Sequence, residues 1–246
     1  VTAARTGLPR RTITIITTTT EEGAMSRQPS VTEQQTASGR QIEACSFARV
    51  DAEAGDRSGY DAAQWTVVRR MIHATADFDF NGVTRFHPQA VMAGVAAIRA
   101  GAPLFVDVEM IRVGLSAARL RHFGVEAHCL MNDPQAAERA ERAGTTRAEQ
   151  AVALAAEQGR LDGAIVAVGN APTALRAVLA RIERGEVAPR LLIAMPVGFV
   201  AAAESSDEAM AQQQIPWIAT AGRKGGTPVV VACLHALLAL AEEEGA

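Results

Sequence analysis

Ala164–Leu175, AIVAVGNAPTAL, is the stretch that decides the fold. It opens as a short apolar run, Ala164 to Val168, rich in β-branched residues. A run this short and apolar reads as a strand buried on both faces, as in a parallel sheet. It breaks at Gly169-Asn170 and restarts as Ala171-Pro172-Thr173-Ala174-Leu175. Asn170 is a good helix N-cap, and a proline in the first turn needs no intrahelical N–H partner. The reading is strand, tight turn, helix. Such a turn leaves unpaired N–H groups and a positive helix end beyond the strand's C-terminal edge, where open α/β sheets bind ligands.

The same pattern recurs on both sides. PLFVDV (Pro103–Val108), AHCLM (Ala127–Met131), LLIAM (Leu191–Met195) and PWIAT (Pro216–Thr220) are four more strands. Ala- and Arg-rich helical stretches lie between and after them, at 109–121, 134–158, 171–184, 201–212 and 226–243. Five strands alternating with helices predict a three-layer α/β/α fold, with a five-stranded, mostly parallel sheet. Strand count and lengths suit a flavodoxin-like order. Upstream, Ala62, Trp65, Val68, Met71 and Ile72 fall at helical spacing, which predicts a helix over Asp61–Thr75. A loop from Ala76 to Arg85 holds Asp77 and Asp79, and a helix from Pro88 to Ala100 ends at Gly101.

Residues 1–40 are Thr-, Ser- and Gln-rich with no amphipathic period, and read as a disordered or non-native N-terminal extension. Within them Thr12–Thr18 carries a weak strand signal and Met25 is a candidate start. Order is expected to begin near IEACSFARV, Ile42–Val50, so that residues 41–246 form a single α/β domain.

Of 246 residues, 48% are hydrophobic and 4% aromatic, so the core is sizeable and mostly aliphatic. There are 24 Lys+Arg against 27 Asp+Glu and no basic stripe, which argues against nucleic acid as a partner. No apolar run reaches the roughly 18 residues of a membrane span. TITIITTTT, after Arg10-Arg11, is too short and too Thr-rich for a secretory segment, and the expected location is the cytoplasm. Cys45, Cys129 and Cys233 are odd in number and lack metal-ligand spacing, so free, mostly buried thiols are expected. No His/Cys/Asp/Glu set has metal-binding spacing.

In a parallel sheet the strand exits converge on one crevice. Asp107 and Glu109 follow the first strand, Asn132-Asp133-Pro134 the second, Gly169-Asn170 the third and Pro196-Val197-Gly198-Phe199 the fourth. Asn132-Asp133-Pro134 is read as a turn with an N-cap. The fifth exit is GRKGGT, whose Lys224 is the one lysine in the chain. Arg223, Lys224 and a close-approach Gly225 before a helix start make an anion site. The order of residues is neither a Walker A loop nor a GxGxxG fingerprint. Gly198 offers close approach beside Phe199, and Glu204-Ser205 stand near a helix start, where the plainer reading is acidic residues favouring the dipole. In VVRRMIHATADFDF, Arg70 and His73 share a helix face. Histidine exchanges protons near neutral pH, although a structural histidine near a helix end is the plainer reading. His87, His122, His128 and His235 read as structural.

Together, IEACSF, VVRRMIHATADFDF, the D-x-x-M-x-x-x-G of Asp107-Met110-Gly114, the TTR of Thr145–Arg147, GNAPTAL, PVGFV with AAES, and GRKGG resemble the precorrin-8X methylmutase family of corrin biosynthesis. They run in family order over about residues 41–240. The resemblance implies migration of a methyl group from C-11 to C-12 of precorrin-8X or cobalt-precorrin-8, giving hydrogenobyrinate or cobyrinate. It implies no redox cofactor and no bound metal. The shift can be written as a sigmatropic rearrangement needing a shaped pocket and one acid, and His73 matches the family's active-site histidine. Implied substrate contacts are Ser46, Arg70, Thr75, Arg147, Asn170, Ala171, Gly198, Phe199, Glu204, Ser205, Arg223, Lys224 and Gly225, with the cations pairing the substrate's carboxylates. A homodimer with sites near the subunit interface is also implied. The chain departs from the family pattern at Ala76 and Ala201, where glycine is usual, at Ser206, where lysine is usual, and at Ala148, where serine is usual. A non-catalytic tetrapyrrole-binding or carrier protein on the same scaffold is the alternative, and an unrelated small-molecule enzyme follows from fold analogy alone.

Overall fold

A computed structural model describes residue 34 and residues 36–243. Thr12–Thr18 and Met25 lie outside the described residues. The first helix, α1 (Ala37–Glu53), begins inside the stretch expected as an extension, because Thr36 caps it by accepting the Gly39 N–H at 3.0 Å.

Six strands form one sheet: β1 (Thr84–Phe86), β2 (Leu104–Val106), β3 (Ala127–His128), β4 (Ile165–Val168), β5 (Leu191–Ala194) and β6 (Trp217–Thr220), in the order β1-β6-β5-β4-β2-β3. The five parallel strands follow the flavodoxin-like order. The sixth, β1, corrects the expected count. It runs antiparallel to β6, with Thr84 opposite Thr220 and Phe86 opposite Ile218. Three residues are too short to carry a hydrophobic period. The expected loop Ala76–Arg85 therefore holds both α3 (Phe80–Val83) and the start of β1.

Two expected helices are each broken in two. Residues 109–121 divide into α5 (Glu109–Gly114) and α6 (Ala117–Phe123), the second capped by Ser116. Residues 134–158 divide into α7 (Pro134–Ala143) and α8 (Arg147–Glu157), where Gly144 turns left-handed and Thr146 caps the restart. One face of the sheet is covered by α2 (Ala62–Thr75), α4 (Ala90–Arg99), α5 and α11 (Thr227–Glu243), and the other by α8, α9 (Pro172–Glu183) and α10 (Ala202–Ala211). Alternation in the strands sorts the core accordingly. Ile165, Ala167, Leu191 and Ile193 face the α2/α11 side, and Val166, Val168, Leu192 and Ala194 the α8/α9 side. Outside this sandwich, α1 packs on α2.

At the centre of the C-terminal sheet edge stands Asp107, only 2% exposed. Its Oδ1 accepts the Gly169 N–H at 3.0 Å, and its Oδ2 accepts those of Asn170 at 2.9 Å and Ala171 at 2.8 Å. The donors expected to be free for a ligand are thus taken by the protein's own carboxylate. Asn170 is not the N-cap: Ala171 holds that position, and the Asn170 side chain is exposed. Burial pushes the Asp107 carboxyl above its ordinary range, and the three N–H donors pull it back. The turn is also roofed, since a Cβ on Gly169 would stand 2.9 Å from a Val230 methyl of α11 and 3.2 Å from Ile111 of α5.

Ala76 (φ 54°) and Ala201 (φ 61°) are the non-glycine residues with positive φ among those described. They occupy two positions where the family resemblance leads one to expect glycine. A left-handed alanine costs about 1–2 kcal/mol. Ala76→Gly and Ala201→Gly should each raise unfolding stability in urea by about 1 kcal/mol; a loss of stability would contradict the strain. Asp107→Ala strands three N–H donors, those of Gly169 and Ala171 buried, and should destabilise by about 3 kcal/mol or more. A loss under about 1 kcal/mol would show that the turn holds without its acceptor.

Candidate active site

His73 lies in the last turn of α2. A capping box starts this helix: Asp61 accepts the Gln64 N–H at 2.8 Å, and Gln64 accepts the Asp61 N–H at 3.1 Å. Val67, Val68, Met71 and Ile72 bury one side of α2. His73 is on the exposed side, against α1. Its Nδ1 is 2.8 Å from the Ser46 hydroxyl, and its ring sits 4.9 Å from that of Phe47. Phe47 also lies beneath two guanidinium groups, Arg69 at 4.7 Å and Arg70 at 5.9 Å. Arg69 donates to Asp51 at 3.0 Å, and Arg70 pairs with Glu43 at 3.5 Å. The Arg70 side chain is 13% exposed; burial pulls its guanidinium pKa down while Glu43 opposes this. Arg70 therefore already has a carboxylate partner within the fold.

Beyond the helix end the chain is tied to β6. The Thr75 hydroxyl donates to the Met71 carbonyl at 2.8 Å and accepts the Asp77 N–H at 3.3 Å, so it is engaged locally. Lys224 donates to Asp77 and to Asp79, both at 2.6 Å. The Ala221 N–H donates to the Val83 carbonyl at 2.8 Å. On its other side the GRKGG loop is fixed to the exit of β5, where the Gly226 N–H meets the Met195 carbonyl at 2.9 Å. A Cβ at Gly225 would collide with that same carbonyl oxygen, so this glycine serves backbone packing. Arg223 is exposed and stands 5.7 Å over the ring of Phe199, which follows Gly198 and is itself 86% exposed. A cation and an aromatic face thus project together at the sheet's C-terminal edge.

The expected site residues fall into groups. His73, Ser46 and Arg70 meet at the α1–α2 contact, while Arg223 and Phe199 meet at the sheet edge. The bonds from Lys224 to Asp77 and Asp79 join the two. Arg147 is exposed at the start of α8, and a 2.9 Å bond between Thr146 and Thr173 ties that start to α9. Glu204 is exposed in the first turn of α10. Ser205 is fully buried, and its hydroxyl donates to the Ala202 carbonyl at 3.1 Å within the same helix. The Ala171 N–H is likewise taken, by Asp107. Ser206, at the position where lysine is usual, is fully buried, and its hydroxyl lacks a partner among the described residues. All three thiols are free, but Cys45 is exposed on α1, against the expectation of mostly buried cysteines. His235 is buried and accepts the Ser116 N–H at 3.3 Å; burial pushes its imidazole down to about 4.

Sequence reasoning missed Glu43, Phe47 and Asp51, the α1 side chains that hold the face of α2. It also missed Asp107 as a partner of the GNA turn. The acidic pair of ADFDF beside a single lysine was a usable signal for the Lys224 contacts. Among the described residues no group of three or more His, Cys, Asp or Glu could hold a metal ion, and no helix is long and apolar enough to cross a membrane.

A model of the precorrin-8X methylmutase family matches residues 41–240. The chain is 42% identical to the cobalt-precorrin-8 methylmutase of Leptospira interrogans over 84% of its length and 96% of that protein. It is 42% identical to the cobalt-precorrin-8 methylmutase of Priestia megaterium, over 82% of this chain and 88% of that one. The solved structure of the precorrin-8X methylmutase of Thermus thermophilus superposes with a TM-score of 0.79 at 52% identity, covering 84% of this chain and 98% of that one. The chain therefore belongs to the precorrin-8X methylmutase family, isomerases of cobalamin biosynthesis that shift a methyl group on the corrin precursor.

Proposed function

We propose that His73 is the proton donor for the C-11 to C-12 methyl shift on precorrin-8X, in its metal-free or cobalt form. The supporting observation is the 2.8 Å contact between Ser46 Oγ and His73 Nδ1. A hydroxyl both donates and accepts. With Nδ1 engaged by Ser46, the proton to be delivered sits on Nε2. When Nε2 gives it up, the Nδ1–H of the remaining neutral ring donates to the Ser46 oxygen. The ring keeps its orientation through both states, and the 4.9 Å contact with Phe47 holds its plane.

Protonating the macrocycle favours the tautomer from which the methyl migrates. The bond from the methyl to C-11 breaks as the bond to C-12 forms, and the proton is returned afterwards. The sum is an isomerisation, with no electrons gained or lost. Arg223, projecting with Phe199, and Arg147 at the start of α8 suit a large apolar ring bearing several carboxylates. The Asn170 side chain and Glu204 stand exposed at neighbouring strand exits. Cytoplasmic location fits this reading.

We also propose that the working unit is a homodimer. Ile42 of α1, Met92 of α4, and Met110 and Val113 of α5 are each more than 60% exposed, an unusual display of large apolar side chains. Light scattering on the purified chain should give twice the monomer mass; a monomer at micromolar concentration would refute it.

Purified protein incubated with precorrin-8X should convert it to the product chromophore. His73→Ala should lower kcat by about 10²-fold or more with little change in KM. Ser46→Ala should lower kcat by roughly tenfold and alter the pH profile, since the ring loses its orienting partner. Full turnover by His73→Ala would reject the histidine assignment, whereas spectral binding without conversion by the wild type would favour a carrier.

A further inference from the structure

Lys224 is where composition and geometry disagree. As the one lysine in a chain otherwise supplied with arginine, set in a glycine-rich loop after β6, it reads as an anchor for a substrate carboxylate. Its ammonium is instead engaged by two carboxylates, Asp77 and Asp79, each at 2.6 Å. One positive charge between two negative ones leaves the cluster at net −1, so an approaching carboxylate meets repulsion rather than an open cation. Arg223, the next residue back, is the cation that projects outward over Phe199.

The two aspartates stand on the segment that leaves α2 immediately after His73. Helix ends fray, and His73 is in the final turn of its helix. The residue that closes this turn, Ala76, sits left-handed at φ 54°, a conformation alanine resists. Its N–H closes the turn on the Ile72 carbonyl at 2.7 Å. Something beyond the helix must hold that closure. Lys224 stands on a firm base for this, because Gly225 and Gly226 pack on the Met195 carbonyl at the exit of β5. From there it reaches to Asp77 and Asp79, and the Ala221–Val83 bond and the β1–β6 ladder tie down the remainder of the segment.

We propose that Asp77, Asp79 and Lys224 form a clamp of positioning residues that fixes the last turn of α2, and with it His73, against the β6–α11 loop. This rests on the reading of His73 as the proton donor. Misplacing a catalytic group by about 1 Å costs up to 10²-fold in rate, so a loosened turn acts on the chemical step before it acts on binding.

The test uses the full chain, with precorrin-8X turnover and amide hydrogen exchange measured side by side. In Asp77→Asn/Asp79→Asn and in Lys224→Met, kcat should fall about tenfold while KM stays within about twofold. Amides of residues 71–76 should exchange about tenfold faster or more, and those of α11 should not change. Lys224→Arg keeps the charge but not its compact shape, and should recover part of the turnover. If a variant is too unstable to assay, Ala76→Gly in the same background relieves the strained turn, and the comparison is made there. A fall in KM with unchanged kcat in the aspartate variant would make Lys224 a substrate anchor for which the aspartates compete, and would overturn the clamp. Unchanged exchange at residues 71–76 would overturn it as well. The exchange measurement needs no turnover: faster exchange together with full activity in His73→Ala would reject the histidine and keep the clamp. An inactive His73→Ala with unchanged exchange would reject the clamp alone.

Discussion

A single buried carboxylate constrains this fold at the point where the sheet reverses its strand order. Asp107 leaves β2 and takes three consecutive N–H groups from the turn between β4 and α9. A carboxylate removed from water is costly unless its oxygens are satisfied, and three short bonds to backbone donors supply that compensation. The bond joins the two strands that flank the switch point, and Val230 and Ile111 close over the same turn. In many open α/β sheets this turn cradles a ligand's anionic group. Here the position is held by the protein itself. Those three main-chain N–H groups are thereby withdrawn from any ligand, and exposed polar side chains such as Asn170 and Arg223 stand further out on the strand exits.

That displacement agrees with where the chemistry-bearing groups stand. His73 belongs to no strand exit: it comes from the α1–α2 pair, outside the repeating βα part. Its orientation is set by α1, through Ser46 and Phe47, while the arginines beside it are held by Glu43 and Asp51 of the same helix. The two cations over the one aromatic ring of Phe47 thus each have an acidic partner of their own. In a single chain His73 is exposed to water.

The parts legible in the sequence were those governed by local periodicity. Short β-branched runs such as Ile165–Val168 and Leu191–Ala194 announce strands buried on both faces, and their alternation with helices announces a parallel sheet. The converging strand exits followed from that sheet and His73 from its residue type and helix face, and resemblance added the roles they are expected to play. What escaped is what local pattern cannot encode. β1 is three residues long and exists only through its backbone ladder with β6. Asp107 finds its partners 62 to 64 residues away, and Lys224 finds Asp77 and Asp79 at separations of 147 and 145. Asn170 looked like an N-cap because its side chain could perform that task. The fold assigned the task to a distant carboxylate able to accept three bonds instead of one.

The choice of lysine at position 224 follows from shape as much as from charge. A guanidinium is a planar fork suited to one carboxylate held by two parallel bonds, as Arg176 holds Glu208 in this fold. Asp77 and Asp79 are two separate carboxylates converging from a tight bend, each offering one oxygen at 2.6 Å. An ammonium, compact and tetrahedral, can direct one proton to each and turn to suit them. A chain that otherwise uses arginine for its basic residues thus departs from its habit at the point where two acids must be gathered onto one atom, and those acids, Asp77 and Asp79, follow closely on His73 in the chain.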